Sequence, residues 1–413
     1  MTSARTSGLE TRTPDPQAVS TVVWGTFDKG KPRVRILLKG LSEAGYPVIE
    51  QHSSPWDGIE DKSQIQGFFN KGRIALSWLS RYPWLLCRYC FAPKHSVVLL
   101  PYLSHLDVLM IWPLAKLRGA MIVWDVFVPL YTGVVEDRRL VSEGSLSARL
   151  IYALEWLSTR AADLLFLDTT AHAEYFARLY GLPEASVGSV MVGVEPEYFR
   201  PLSRPKPITK NNDEPLLNVL FYGQFIPLHG VDIILEAARR SQDRRIHWTI
   251  IGNGQSASKW KKELAQNPIE NLNWLEWVKY DALIQHIDTA DLCLGIFGNT
   301  QKAEIVVPNK VYQMLASGKP VITRRSRAME ELAADQELNL ILVEANDPEG
   351  LVEAIQGFAA QAGPGNPEQA KPEPDDVSKS LIANKFGPLA VANQYSRMLG
   401  DFLARSRKYS ELD

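Results

Sequence analysis

Lys310 occupies a position where a side chain is well placed to meet a negative charge. In "VVPNKVYQMLASGKPVI", residues 306–322, Pro308-Asn309-Lys310 reads as the start of a short helix that stops at Gly318, and a hydrophobic strand follows Pro320. A helix N-terminus carries unsatisfied N–H groups and a partial positive charge, so a first-turn lysine opposes the dipole unless an anion sits beside it. A bound diphosphate would supply that anion. An exposed lysine beside an Asn309 N-cap fits the same spacing. Pro308 suits either reading, because it needs no N–H partner there.

Other chemistry-bearing residues follow apolar runs in the same way. His105 and Asp107 in "SHLD" pair an imidazole with a carboxylate, as a base or a sugar-hydroxyl contact would need, or as a capped turn would. Asp125 closes the apolar run "MIVWD", which favours a role in a cleft at the strand end. His229, between Leu228 and Gly230, is a turn residue or a phosphate contact. Gly252 and Gly254 form "GNG", which lacks the full G-x-G-x-x-G pattern of a phosphate loop. Cys87 and Cys90 make a C-x-x-C with no second pair or histidine cluster, short of the four ligands zinc needs.

These residues are positioned by alternating strands and helices. "TVVWGT" reads as a strand ending at Gly25, "KPRVRILLKGLSEAGY" as a helix closing at Gly45, and "PVIEQH" as the next strand. Such β-α-β units imply a parallel sheet with right-handed crossovers. The alternation runs to about residue 194 and breaks at "RPLSRPKPITKNNDEP", a Pro-rich polar stretch typical of a domain boundary. It restarts with "LNVLFYGQF", giving two doubly wound α/β domains. The expected organisation is a disordered tail at 1–19, a first Rossmann-like domain at 20–201 and a linker at 202–215. A second domain at 216–380 would carry a disordered insertion at 362–380, and a last helical segment would span 381–413. In such sheets ligands bind beyond the C-terminal strand ends.

Bulk composition narrows the class. A chain of 413 residues exceeds one ordinary core, and with 22% charged residues and a formal net charge of -2 it offers no electrostatic case for a nucleic-acid partner. Three cysteines cannot build a disulfide framework, which points to a reducing, cytoplasmic compartment. No run reaches the roughly 18 apolar residues of a membrane span. Residues 73–90, "RIALSWLSRYPWLLCRYC", mix Trp78, Trp84 and Leu86 with Arg73, Arg81 and Arg88. That mixture reads as a helix packed on the first domain or as peripheral contact with the inner face of a membrane.

Four stretches, "VGVEPEYFRP", "VLFYGQFIPLHGVDIILEAA", "WTIIGNG" and "PNKVYQMLASGKPVI", together resemble the family 4 retaining glycosyltransferases of GT-B fold. "GTFDKGKPRVRILLKGLSEAGY", "SHLDV", "VWDVFVPLYTGVVEDRRLV" and "DTTAHAEYFARLYGLP" resemble one bacterial branch, and the likeness covers about 20–405. The resemblance implies two domains facing a central cleft, with the C-terminal helix crossing back to the first. It implies a nucleotide-sugar donor on the second domain, a glycan or lipid-linked acceptor on the first, and surface polysaccharide or glycoconjugate as the product. No D-x-D stands out, and no divalent metal is expected. Carried over residue by residue, the donor contacts are Gly25, Thr26, Gly223, Gln224, His229, Gly252, Gly254, Glu304, Asn309, Lys310 and Gln313. His105, Asp125 and Lys310 are the catalytic candidates. The family's usual Arg and Lys in the first loop of the second domain stand here as Gln224 and His229, and its second Glu as Gln313. With those cations missing, Lys310 and Lys302 become the expected diphosphate contacts. A GT-B sugar-nucleotide epimerase and a transferase-like binding protein that has lost catalysis are the alternatives.

Overall fold

The central strands of the first half have no solvent face. TVVWG, VVLL and LLFL are buried at every position in the computed structural model. Strands with no solvent face belong to parallel sheets covered by helices on both sides. The structure describes residues 19–54, 77–201, 217–361 (except 242, 244 and 336) and 385–410. The tail before residue 19, the linker at 202–215 and the insertion at 362–380 lie outside the described residues, as do 73–76 of the aromatic-basic stretch.

The first half comprises strands β1 (Thr21–Gly25), β2 (Val48–His52), β3 (Val97–Leu100), β4 (Met121–Asp125), β5 (Leu164–Leu167) and β6 (Val187–Ser189). Its helices are α1 (Pro32–Glu43), α2 (Tyr82–Cys90), α3 (His105–Leu117), α4 (Leu146–Ala161) and α5 (Thr170–Tyr180). The second half has β7 (Leu217–Tyr222), β8 (Ile246–Ile251), β9 (Leu272–Leu275), β10 (Leu292–Leu294), β11 (Val321–Arg324) and β12 (Leu340–Val343). With them come α6 (Val231–Arg240), α7 (Ala257–Gln266), α8 (Tyr280–Thr289), α9 (Gln301–Ile305), α10 (Asn309–Ala316), α11 (Arg327–Ala333) and α12 (Pro348–Gln361). A final helix, α13, spans Pro388–Ser410.

The sheets run β2-β1-β3-β4-β5-β6 and β12-β11-β10-β7-β8-β9, with every pairing parallel. The chain reverses its direction of travel across each sheet at one point, between β1 and β3 and between β7 and β10. Beyond those strand ends a crevice opens, the ordinary ligand position of such sheets. Each sheet has an apolar layer on either face. One layer of the first sheet is completed by the end of the chain, where Val391, Tyr395 and Leu399 of α13 pack with Val34, Leu37 and Leu41 of α1. The crossing is pinned by Val194 N–H donating to the Phe386 carbonyl (2.8 Å) and Met191 N–H to Gln394 Oε1 (2.8 Å).

The halves also touch directly. Thr170 and Ala171 N–H, at the start of α5, donate to the Glu331 carboxylate of α11 (3.2 and 3.0 Å), and Arg327 pairs with Glu174 (2.7 Å).

Candidate functional site

In the second half, β7 ends at Tyr222 and the chain turns at Gly223. A Cβ on Gly223 would lie 2.8 Å from His229 Cε1 and 3.5 Å from Lys310 Nζ, so the loop after β7 and the distant start of α10 meet at the strand end. Lys310 is buried, with Nζ 3.8 Å above the centre of the Phe221 ring, and that Nζ has no hydrogen-bond partner among the described residues. Burial pushes its pKa well below that of an ordinary lysine. His229 Nδ1–H donates to the Gln224 carbonyl, which leaves Nε2 as the ring's acceptor. Burial, and then the nearby Lys310 charge, push the His229 pKa well below the usual histidine value. Burial thus disfavours the charged form of both groups, and an anion between them would favour it.

Asn309 is the first residue of α10 and not its cap. Pro308 takes the N-cap position without any side-chain bond, so the capped-turn reading of Asn309 does not hold. Gly318 ends the element in a left-handed conformation, φ +73°. The two glycines of "GNG" serve close backbone approach. A Cβ on Gly252 would meet Gly223 O at 1.9 Å, and one on Gly254 would meet Phe225 N at 2.7 Å. They shape the 223–225 loop from below. Gln224 is exposed and Gln313 Oε1 accepts from Tyr222 OH (3.0 Å). Glu304 accepts from Arg324 and from Arg327 N–H (3.0 Å), which ties its carboxylate to the start of α11.

In the first half the crevice beyond β1 is organised by Asp107. Its fully buried carboxylate accepts from Thr26 N–H (2.8 Å), Thr26 Oγ1–H (2.9 Å) and Tyr82 OH (2.6 Å). A Cβ on Gly25 would lie 2.2 Å from Asp107 Oδ2, so only glycine, here at φ +126°, lets the loop reach that carboxylate.

His105 and Asp125 are both buried and both paired with charged groups of the first half. Asp125 is fully buried, and both its oxygens accept from Arg33 (2.9 and 3.0 Å), whose guanidinium also holds the Val190 and Met191 carbonyls. His105 Nε2 pairs with Glu155 at 2.7 Å. The same buried Glu155 accepts from Leu130 N–H (2.7 Å), Tyr131 N–H (3.1 Å) and Tyr180 OH (2.6 Å). The physical reason is alike in both cases. A buried ionisable group needs a partner, and one from elsewhere in the same half supplies it, although His105 Nδ1 has no hydrogen-bond partner among the described residues.

The Glu155 network anchors the segment leading into a π-helical turn, Thr132–Asp137, which crosses to the second half. There Thr300 Oγ1 donates to Asp137 (3.2 Å), Arg138 donates to Gln224 Oε1 (3.4 Å), and the Arg138 carbonyl accepts from Gln255 (3.3 Å). Burial lowers the Lys302 pKa, opposed first by the attraction of Asp137. Asp137 and Arg138 were not singled out from the sequence. The signal was the run "VVEDRRL", where charge breaks abruptly into an apolar stretch. A cavity of about 770 Å³ elsewhere between the halves is lined by Asp168, Tyr312, Glu331, Lys385 and Arg397, and neither Lys310 nor His229 lines it.

Residues 217–361 match a family model described as "Glycosyl transferases group 1". The chain is 28% identical over 106 residues to the putative colanic acid biosynthesis glycosyl transferase WcaI of Escherichia coli K12, covering 25% of this chain and 26% of that protein. It is 26% identical over 143 residues to an uncharacterized glycosyltransferase, MJ1178, of Methanocaldococcus jannaschii, covering 33% of this chain and 36% of that one. The chain thus spans about a quarter to a third of the length of these curated relatives.

Solved structures match over nearly the whole chain. The catalytic domain of Arabidopsis thaliana starch synthase IV, bound to ADP and acarbose, superposes with a TM-score of 0.62 at 12% identity, covering 94% of this chain and 99% of that one. Sucrose-phosphate synthase of Thermosynechococcus elongatus gives 0.58 at 16% identity, with 96% of each chain covered. Anabaena HepE in complex with UDP gives 0.57 at 12% identity, covering 95% and 100%. At these identities the likeness establishes the fold, which is the two-domain, Rossmann-like GT-B fold.

Proposed function

We propose that this chain is a retaining glycosyltransferase that moves a sugar from a nucleotide donor to a glycan or lipid-linked acceptor, in the synthesis of surface polysaccharide or glycoconjugate. The observation that carries the reading is Lys310. A buried ammonium group with no hydrogen-bond partner among the described residues, at the head of a helix and beside His229, is costly unless an anion comes to it. A nucleoside diphosphate is that anion, and structural neighbours hold UDP, UDP-glucose or ADP. The match of residues 217–361 to the group 1 transferases lies over the half that would hold it.

In this reading the acceptor hydroxyl attacks the anomeric carbon from the face the diphosphate leaves. The carbon–phosphate oxygen bond breaks, and the acceptor proton passes to the departing diphosphate. The chain's part is electrostatic. Lys310, with Lys302 and His229, takes up the charge growing on the leaving group, so no divalent metal is assigned a role. Thr26 and Gly25 border the acceptor side. Asp125 and His105 act through the loops they hold, as positioning residues.

The test is thermal unfolding with UDP, GDP, ADP and TDP, with and without magnesium. A ligand at about 100 times its Kd should stabilise the protein by roughly 2.7 kcal/mol. One base should stand out, unaffected by magnesium, and its effect should vanish in Lys310→Ala. No shift with any of the four would overturn the reading.

A further inference from the structure

The outward faces of α2, α3 and α4 carry the opposite of what an outward face should. An amphipathic helix normally buries its apolar stripe and shows charge to water. On α4 the buried side is Ala148, Glu155, Ser158 and Ala161. Its solvent stripe is Leu146, Leu150 and Leu157, at 74%, 61% and 50% exposure, together with Trp156. On α3, which packs between α2 and α4, Trp112 is 44% exposed and Leu117 83%. On α2, Trp84 is exposed, and Phe91 follows at its C-cap. Of the large apolar side chains exposed among the described residues, all but Tyr198, Trp277, Tyr280 and Leu389 fall between Leu79 and Leu157.

On the three helices themselves the exposed charges have one sign, with the acids Glu143 just before α4 and Asp163 just after it flanking them. The exposed ionised side chains on the three helices are Arg88, Lys116, Arg149 and Arg160. Their two acids, Asp107 and Glu155, are fully buried in the networks described above. Arg88 lies over the Trp84 ring (5.3 Å) and Arg160 over the Trp156 ring (5.1 Å). Arg160 also donates to the Tyr180 carbonyl (2.8 Å), and Lys116 pairs with Asp163, just beyond α4.

We propose that the α2–α3–α4 face docks on an anionic lipid bilayer, with Leu146, Leu150, Leu117, Trp112 and Trp84 entering the interface and the arginines meeting lipid headgroups. Tryptophan and arginine at one depth, around leucines, is the composition of a monolayer-facing surface. The charge pattern selects the occupant. A second copy packed through this face by two-fold symmetry would set Arg149 and Arg88 against the same like-charged patch. Anionic headgroups complement it instead. The surface extends well beyond residues 73–90, because α3 and α4 supply most of it. The inference does not depend on the transfer reaction.

The test is co-sedimentation of the full chain with vesicles of phosphatidylcholine alone, or mixed with phosphatidylglycerol. Binding should appear on the mixed vesicles, weaken at high salt, and be slight on phosphatidylcholine. Arg149→Glu should lower partitioning by roughly tenfold or more, since one attraction is lost and a repulsion gained. Leu146→Ser with Leu150→Ser should abolish it while the thermal midpoint holds. If that pair fails to fold, Leu117→Ser provides the same reading from α3. Three results would overturn the proposal. One is no binding to either vesicle. Another is equal binding to both, unmoved by Arg149→Glu. The third is a dimer of the free chain, lost in Leu150→Ser, without vesicle binding.

Discussion

A lysine whose charge is unfavourable in the free protein reports on its ligand through protons. The folded-state pKa of Lys310 lies well below 10.5. The sign of the effect follows from that. Above about 10.5 the group is neutral folded or unfolded and costs nothing. The cost grows as pH falls from there, and is complete below the folded pKa. Lys310→Met should therefore stabilise the free protein at neutral pH, by about 1–3 kcal/mol, measured by urea unfolding, while abolishing nucleotide stabilisation. Nucleoside diphosphate binding should take up protons at pH values between the free-state pKa of Lys310 or His229 and the higher value each takes beside the anion. Titration calorimetry in buffers of different ionisation enthalpy would show that uptake as a slope in the observed heat, and a zero slope would remove the paired-cation account.

The same scale separates the site from its supports. Arg33→Met strands the Asp125 carboxylate and should cost about 3–5 kcal/mol, whereas Arg33→Met combined with Asp125→Leu should recover much of that. Denaturant unfolding of the three proteins checks it. Strand-end position was legible for Asp125 and His105. Their partners were not, because Arg33 and Glu155 stand 92 and 50 residues away. For Lys310 the place in the helix was legible, but the lack of any partner was not.

Elements were the more legible level, because periodicity and turn residues are local while side-chain pairing is not. Uninterrupted apolar runs marked the strands, and the left-handed glycines Gly45 and Gly318 marked helix ends. Tertiary contacts between elements were hidden. Gly40 lies inside α1, where a glycine usually weakens a helix. A Cβ there would lie 2.0 Å from the Pro388 carbonyl, so the residue is the gap through which α13 docks. Gly40→Ala should gain helix propensity yet destabilise by about 1–3 kcal/mol, as overpacking does. Hydrogen exchange should show the loss concentrated in α13. An increase in stability would mean that the helices separate freely at this contact.

At the scale of the whole molecule, the two halves share an apolar cluster, in which Ala171, Val192 and Val194 join Val307 and Tyr312, and polar contacts that include the Glu331 carboxylate. Glu331 occupies the N-terminal end of α5, where an acid is favoured by unpaired N–H groups and the helix dipole. Glu331→Ala should cost about 1 kcal/mol, as loss of a cap does, and broaden the distribution of interdomain distances seen by small-angle scattering. An unchanged scattering profile would place the constraint in the α13 crossing instead. That crossing has a temporal meaning. The first sheet's layer around Val34, Leu37 and Leu41 is closed by Val391, Tyr395 and Leu399, which a ribosome makes only after the whole second half. The half that is synthesised first must therefore wait, with part of its interior uncovered, while the second half emerges and can finish folding ahead of it.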